Sequence, residues 1–205
     1  MKRIIPNITA LFPTPVYFSN LNRNLSEKEK NSINKSKKNL HRNTGNVRTK
    51  DSYILENNDF KKLKNDLLLM VQDFSNNVLC YKNFTPYITQ SWINFTEETE
   101  YHHQHQHPNS ILSGVFYINA DEKNDKIYFY RDDYKTIVPS VKEHNTWNAG
   151  SWWFPIKTGD VILFPSSLTH MVETKEGKNT RTSLAFNVFA KGIFGDNTML
   201  TELKL

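Results

Sequence analysis

From Tyr87 onward the chain breaks into eight short runs rich in β-branched and aromatic residues: 87–96, 101–107, 111–119, 126–130, 147–156, 160–164, 169–174 and 181–190. Turn-forming stretches separate them, among them Pro-Asn-Ser, Asp-Glu-Lys-Asn-Asp, Thr-Gly-Asp and Glu-Gly-Lys-Asn. Strands this short are buried only by pairing with one another, so the spacing predicts a sandwich or barrel. Upstream the pattern differs. Residues 8–19 carry two prolines among β-branched and aromatic residues, which predicts an edge strand or lead-in segment. Ser26 followed by Glu29 is a capping box opening a polar helix to about Leu40. Phe60, Leu63, Leu67, Met70, Val71, Phe74 and Val78 recur at spacings of three and four, and so form one apolar helix face that should pack on a sheet. Helices first and strands afterwards predict a mostly β (α+β) barrel buttressed by N-terminal helices. With 205 residues and no internal repeat, one domain spans 1–205. It divides into an N-terminal strand and helices (1–84), a β core (85–190) and a C-terminal tail (191–205).

Composition removes several classes. Hydrophobic residues at 38% and aromatics at 13% exclude a disordered or fibrous chain. No apolar run approaches the roughly 18 residues of a membrane helix, so no membrane partner is expected. Met1-Lys2-Arg3 imitates the start of a signal peptide, but Pro6, Asn7, Thr9, Pro13 and Pro15 interrupt the apolar stretch that should follow. The single cysteine, Cys80, forms no internal disulfide and is expected as a small buried hydrophobe in a reducing, cytoplasmic compartment. The net charge of +5 is unevenly placed. In residues 1–75, 14 Lys and Arg face 7 Asp and Glu, whereas 12 face 14 in the remainder. Lys28, Lys30, Lys35, Lys37, Lys38, Arg42, Arg48 and Lys50 read first as a solvated helix and loop. The sharper alternative is a patch that steers an acidic macromolecular substrate such as nucleic acid. Homodimerisation through these N-terminal elements is a further expectation.

Four of the seven histidines fall within Tyr101-His102-His103-Gln104-His105-Gln106-His107-Pro108. On a strand, His103, His105 and His107 share one face and His102 and Gln104 the other. Two imidazoles at i and i+2 can hold one metal ion, and a third ligand must come from elsewhere. His41 sits in the basic loop and His144 in a polar loop. His170 follows Thr158-Gly159-Asp160-Val161-Ile162-Leu163-Phe164-Pro165, a turn and buried strand that would deliver it to the mouth of a barrel. Three imidazoles with no nearby cysteine leave coordination positions open, which points to catalysis rather than a closed structural zinc site. A zinc hydrolase would need a general base that the neighbourhood does not display.

Arg181 opens the run Arg181-Thr182-Ser183-Leu184-Ala185-Phe186-Asn187-Val188-Phe189, and Arg181, Ser183 and Asn187 would share a face. An arginine aimed into an apolar barrel is costly unless a carboxylate meets it. A bound dicarboxylate would do so. An internal Asp or Glu is the alternative.

Three ordered motifs carry a family resemblance: His105-Gln106-His107-Pro108-Asn109-Ser110-Ile111-Leu112-Ser113-Gly114-Val115-Phe116-Tyr117, then Gly159-Asp160-Val161-Ile162-Leu163-Phe164-Pro165-Ser166 with His170, then Arg181 to Asn187. Over roughly residues 85–190, with Leu11-Phe12-Pro13-Thr14-Pro15-Val16, the chain resembles the 2-oxoglutarate and Fe(II)-dependent oxygenases, in the branch found in marine bacteria and their phages. The resemblance implies a double-stranded β-helix, a jelly-roll or cupin-like barrel, with Fe(II) at its mouth and 2-oxoglutarate as cosubstrate. It implies that Arg181 and Ser183 hold the distal carboxylate. Asn94, in Trp92-Ile93-Asn94-Phe95, stands near the metal-bound end, and Tyr117 or Tyr128 donates to the same ligand. The usual triad is His-x-Asp/Glu with a distal His, and here His107 occupies the carboxylate position. His105, His107 and His170 rank first as metal ligands; the alternatives start the motif at His107 with Asn109 in the carboxylate slot, or add His103 to His105.

The implied reaction couples oxidative decarboxylation of 2-oxoglutarate, to succinate and CO2, to hydroxylation of a substrate C–H bond. Trp147, Trp152 and Trp153 would line the pocket or its rim. Residues 131–153, with Asp132, Asp133 and Gly150, read as an insertion over the barrel mouth that selects the substrate. Two rivals remain: a cupin-like metal enzyme without 2-oxoglutarate, which leaves Arg181 unexplained, and a non-catalytic binding barrel.

Overall fold

The computed structural model describes residues 4–132 and 137–205. Met1-Lys2-Arg3 and Asp133, named above, lie outside the described residues. In chain order come β1 (Tyr17–Asn20), α1 (Glu27–Ser36), β2 (Leu40–Arg42), β3 (Val47–Thr49), α2 (Lys61–Asp73), β4 (Phe84–Thr96), β5 (His102–His105) and β6 (Leu112–Asn119). They continue with β7 (Lys126–Tyr130), β8 (Ser151–Pro155), β9 (Asp160–Pro165), β10 (His170–Val172), β11 (Arg181–Phe194) and β12 (Leu203–Lys204). Each of the eight runs from Tyr87 onward contains a strand.

The strands form two antiparallel sheets. The larger has the order β1-β9-β6-β11-β4-β3-β2, with β12 also on β11, and the smaller has the order β5-β10-β7-β8. Alternation along the strands of the larger sheet sends one set of side chains to each face. Ile93, Phe95, Leu112, Phe116, Val161, Leu163, Leu184 and Val188 face outward and bury Leu63, Leu67, Val71 and Phe74 of the α2 region. Their neighbours in sequence, Tyr117, Ile162 and Phe164, face inward and pack with Ile127, Phe129 and Ile156. β9 is buried on both faces, which is why its sequence reads as an unbroken apolar run. Gly114 on β6 permits close packing, since a Cβ there would lie 2.2 Å from the Phe186 ring.

α1 begins at the expected capping box, with Ser26 Oγ accepting from the Glu29 N–H and Glu29 accepting from the Ser26 N–H. Arg23 then donates to both Glu29 and Asp66, tying α1 to α2. The helix ends at Ser36, short of Leu40, because residues 40–49 form the hairpin β2–β3, which extends the larger sheet beyond β4. Three-residue strands carry almost no periodic signal of their own, so the sequence predicts only a loop here. The lead-in segment is a strand only from Tyr17, where β1 pairs with β9. Residues 191–205 are no simple tail: β11 runs on to Phe194 and β12 pairs back onto it. Cys80 is corrected as well, being exposed at a positive φ of 52° after α2 rather than buried. No helix among the described residues is long and apolar enough to cross a membrane.

Candidate functional site

Between the two sheets lies a small pocket. β4 contributes Trp92 and Asn94, β6 Ser113 and Tyr117, and β11 Ser183 and Ala185, while His102, His105, His107 and His170 come from the opposite wall. β5 and β10 pair with His170 directly across from His105. The donor atoms of His105, His107 and His170 all lie within 4.8 Å of one another.

Backbone contacts fix the orientation of two of these rings. His105 Nδ1–H donates to the carbonyl of His103 at 2.7 Å, and His170 Nδ1–H donates to the carbonyl of Leu168 at 3.0 Å. A carbonyl only accepts, so both rings carry their proton on Nδ1 and present Nε2 with a free lone pair. The His107 N–H bonds the Ser166 carbonyl, which pins that loop residue to the end of β9. Burial, reinforced by the neighbouring imidazoles, lowers His170 to about 3 and His107 to about 4, and also lowers His105. The cluster is therefore neutral near pH 7, the form in which imidazole binds metals.

The strand alternation expected for the histidines is broken. Between His105 and His102 β5 advances three residues while β10 advances two, from His170 to Val172. This bulge re-aims the side chains. His102 joins the pocket, stacked 4.8 Å from the His105 ring, and His103 does not line it. His102, His103 and His105 form a second group with donor atoms within 4.8 Å, sharing His105 with the first. His41 and His144 are exposed elsewhere, and Asn109 sits exposed in a turn at φ 57°.

At the other end of the pocket, Asn94, Tyr117 and Ser183 meet by strand register, Ser183 lying opposite both Asn94 and Tyr117. Asn94 Oδ1 and the Tyr117 hydroxyl are buried without a hydrogen-bond partner. Burial pushes the Tyr117 phenol up, while the charge of Arg181 opposes that shift. Arg181 is buried two residues along β11 from Ser183. It is met by an internal carboxylate: its Nη1 donates to Asp125 Oδ1 at 3.0 Å. The same oxygen lies 3.6 Å from Nζ of the fully buried Lys175. The Asp-Glu-Lys-Asn-Asp turn hid Asp125, which from sequence alone carried only a turn signal.

Other expected site residues fall outside. Tyr128 points away from the inward-facing Ile127 and Phe129, and burial and a hydrogen bond to Glu173 push it up to about 12. Asn187 accepts from Ser113 Oγ at 3.3 Å, supporting a pocket residue at second hand. Trp147 and Trp152 line an outer groove with Leu11, Phe12 and Phe129, and Trp153 carries Lys126 Nζ 4.5 Å above its ring. None of the three lines the histidine pocket; Trp92 does, with its ring 5.9 Å from that of His107. Asp132 accepts from Thr169 Oγ1 at 2.9 Å and from Gln106 Nε2 at 3.1 Å, fastening the start of the 131–153 segment beside His105, His107 and His170.

Comparison with known proteins agrees with this geometry. Residues 90–187 match a family model described as "Putative 2OG-Fe(II) oxygenase", just under half of the chain. No curated protein is similar in sequence. Among solved structures, the fold is similar to an oxidoreductase of the 2OG-Fe(II) oxygenase family from Burkholderia pseudomallei, at 14% identity and TM-score 0.55 over 79% of this chain and 78% of that one. HygX from Streptomyces hygroscopicus with nickel, 2-oxoglutarate and hygromycin B bound aligns at 13% identity and TM-score 0.58, over 85% of this chain and 82% of its own. The α-ketoglutarate-dependent epimerase SnoN from nogalamycin biosynthesis aligns at 8% identity and TM-score 0.62, over 89% and 82%. Those alignments establish a shared jelly-roll fold. Residues 90–187, which carry every side chain of the histidine pocket, are thus similar to the 2OG-Fe(II) oxygenases.

Proposed function

We propose that this protein is a 2-oxoglutarate- and Fe(II)-dependent dioxygenase in which His105, His107 and His170 hold the metal and Arg181, Ser183, Asn94 and Tyr117 hold the cosubstrate. The observation that carries the assignment is the pair of Nδ1–H bonds to backbone carbonyls, which aims Nε2 of His105 and His170 into one pocket with His107. An all-imidazole set suits iron and other first-row metals and is a poor match for calcium or magnesium. Of the buried atoms without a partner, Asn94 Oδ1 and the Tyr117 hydroxyl belong to residues that line this pocket, and the hydroxyl can donate to an oxygen of a bound ligand.

Iron and 2-oxoglutarate held by these residues would supply the oxidation, in which dioxygen gives one atom to succinate, formed with loss of CO2, and the other to a substrate C–H bond. The chain supplies placement. Arg181 attracts the distal carboxylate, and Ser183 and Tyr117 offer hydroxyls along the way. Val115, Ile127, Phe164 and Phe186 wall the pocket with apolar surface that keeps bulk water from the reacting centre. Thr169 and Gln106 hold Asp132 beside the metal ligands, so substrate selection is assigned to that side. The lone thiol of Cys80 and the absence of any disulfide partner favour a reducing, cytoplasmic setting.

The test is an anaerobic titration of metal-free protein with Fe(II) and then 2-oxoglutarate. A weak visible charge-transfer band that needs both additions, and is lost in His170→Ala, supports the reading. Stoichiometric metal without the band would replace it with a cupin-like or zinc enzyme. Failure to bind metal would leave a binding barrel.

A further inference from the structure

Ser110, Ser113 and Ser166 stand in the sequence motifs around the histidines and have no part in the function as described, yet their hydroxyls are joined in one line. Ser166 Oγ donates to Ser110 Oγ at 2.8 Å. Ser110 in turn donates to the carbonyl of Leu112 at 2.8 Å, with that of Val188 at 3.1 Å, and accepts the Val188 N–H at 3.3 Å. A hydroxyl has a single proton, and that of Ser166 is spent on Ser110. The 2.8 Å contact between Ser113 and Ser166 is therefore donated by Ser113, whose oxygen also lies 3.3 Å from Asn187 Oδ1. Ser113 and Ser166 are both buried, so each of these hydroxyls depends on its neighbour in the line.

The line converges on one residue. Ser166 follows the last residue of β9, and its backbone bonds the loop between β5 and β6 at two points: its N–H donates to the Ile111 carbonyl at 3.1 Å, and its carbonyl accepts from the His107 N–H at 3.0 Å. Its side chain holds the same loop at Ser110 and holds β6 at Ser113. His107 needs such an anchor more than the other two imidazoles do. His105 and His170 lie on strands and have their rings fixed by Nδ1–H bonds to backbone carbonyls. His107 lies beyond the end of β5, and its ring makes no hydrogen bond among the described residues. Metal–nitrogen distances tolerate a displacement of only about 0.2 Å. We infer that Ser166 is a positioning residue for His107, its hydroxyl fixing, through Ser110 and Ser113, the place at which the loop presents the third imidazole. The inference rests on the assignment of His105, His107 and His170 as metal ligands and adds to it what holds the one ligand that no strand carries.

Zn(II) affinity, read by competition with a chromophoric chelator, provides the test, because Zn(II) binds imidazole more tightly than Fe(II) and keeps weakened variants measurable. Ser166→Ala removes the hydroxyl and leaves both backbone bonds in place. It is expected to weaken Zn(II) about tenfold, the lower end of the loss when a group behind a metal ligand is removed. In a His107→Ala background the same substitution is expected to change Zn(II) affinity less than about twofold, since the ligand it positions is gone. Circular dichroism and thermal midpoints of the metal-free proteins establish that each variant is folded. If Ser166→Ala does not fold, Ser110→Ala, at the half-buried end of the line, takes its place in the same two backgrounds. Unchanged Zn(II) affinity in the folded variant would overturn the inference. So would an equal loss with and without His107, which would make the hydroxyls a matter of stability alone. If the parent binds no Zn(II), or His107→Ala binds it as tightly as the parent, the assignment of the metal ligands fails first, and the inference with it.

Discussion

His105 and His170 face each other directly across β5 and β10, their ring centroids 4.3 Å apart, and each donates its Nδ1–H to the backbone carbonyl two residues before it. The repeated contact makes the tautomer a property of the backbone. Ligand geometry is thereby set before any metal arrives, which lowers the ordering cost of binding it.

Replacing either residue by alanine should therefore abolish the centre. His105→Ala and His170→Ala are each expected to weaken Fe(II) or Mn(II) at least about 100-fold, more than the loss of a group that only hydrogen-bonds a ligand. Metal content after desalting and a metal-competition titration would read this out. Retention of stoichiometric metal in His170→Ala would move the site to the group of His102, His103 and His105.

Tyr117 offers a change with opposite signs for stability and binding. Its hydroxyl is buried with no partner, so Tyr117→Phe removes an unsatisfied polar group and should stabilise the ligand-free protein by about 1 kcal/mol. The same change should weaken 2-oxoglutarate about fivefold, the loss of roughly one hydrogen bond. Tyr128→Phe, on the other face of β7, should leave 2-oxoglutarate affinity unchanged. Denaturant unfolding and calorimetry on the two variants separate the effects.

Acid should act on the ligand-free protein through the histidines. His170 and His107 fall to about 3 and about 4 in the fold, below their ordinary value of 6.5. As pH drops below about 6.5 the unfolded chain takes up protons that the folded chain refuses, so unfolding becomes easier with each step down. The stability contributed by these neutral rings is complete above that value and is lost progressively toward pH 4. Thermal midpoints of metal-free protein between pH 8 and 4.5 should show the decline, and a His107→Gln variant should show a shallower one.

Gly114 tests the packing of the larger sheet. An alanine methyl there would lie 2.2 Å from the Phe186 ring, which must then move. Gly114→Ala should destabilise the protein by about 1–3 kcal/mol, the usual cost of overfilling a packed core, as read by denaturant midpoint.

The basic N-terminal surface bears on substrate class. If it gathers nucleic acid, single-stranded oligonucleotides should bind with an affinity that falls steeply between 50 and 200 mM salt, about tenfold or more when several phosphates are contacted. Binding that ignores salt, or no binding, assigns those lysines to solvation alone. Fluorescence anisotropy at a series of salt concentrations distinguishes the outcomes.

Much of this molecule was legible in its residues because the relevant signals are local. The eight runs from Tyr87 onward announced their strands by alternation and by the turns between them, and β9 its double burial by an unbroken apolar run. The Ser26–Glu29 capping box and the Leu63, Leu67, Val71, Phe74 stripe did the same for the helices. His105, His107 and His170 could be grouped because a two-residue spacing plus a distant strand end is a pattern in one dimension.

What the tertiary structure alone decided were the pairings. The bulge in β5 depends on the register that β10 imposes, and it brought His102 into the pocket against strict alternation. Arg181 found Asp125, and Asp125 found Lys175, across separations of 56 and 50 positions that no periodicity records. The hairpin β2–β3 exists because β4 offers an edge to pair with, and Tyr128 faces outward because its neighbours Ile127 and Phe129 claim the interior. Local sequence sets the propensity and the face of each element, whereas the partners of a buried charge and the register of a strand are fixed only when distant segments compete for the same space and the same hydrogen bonds.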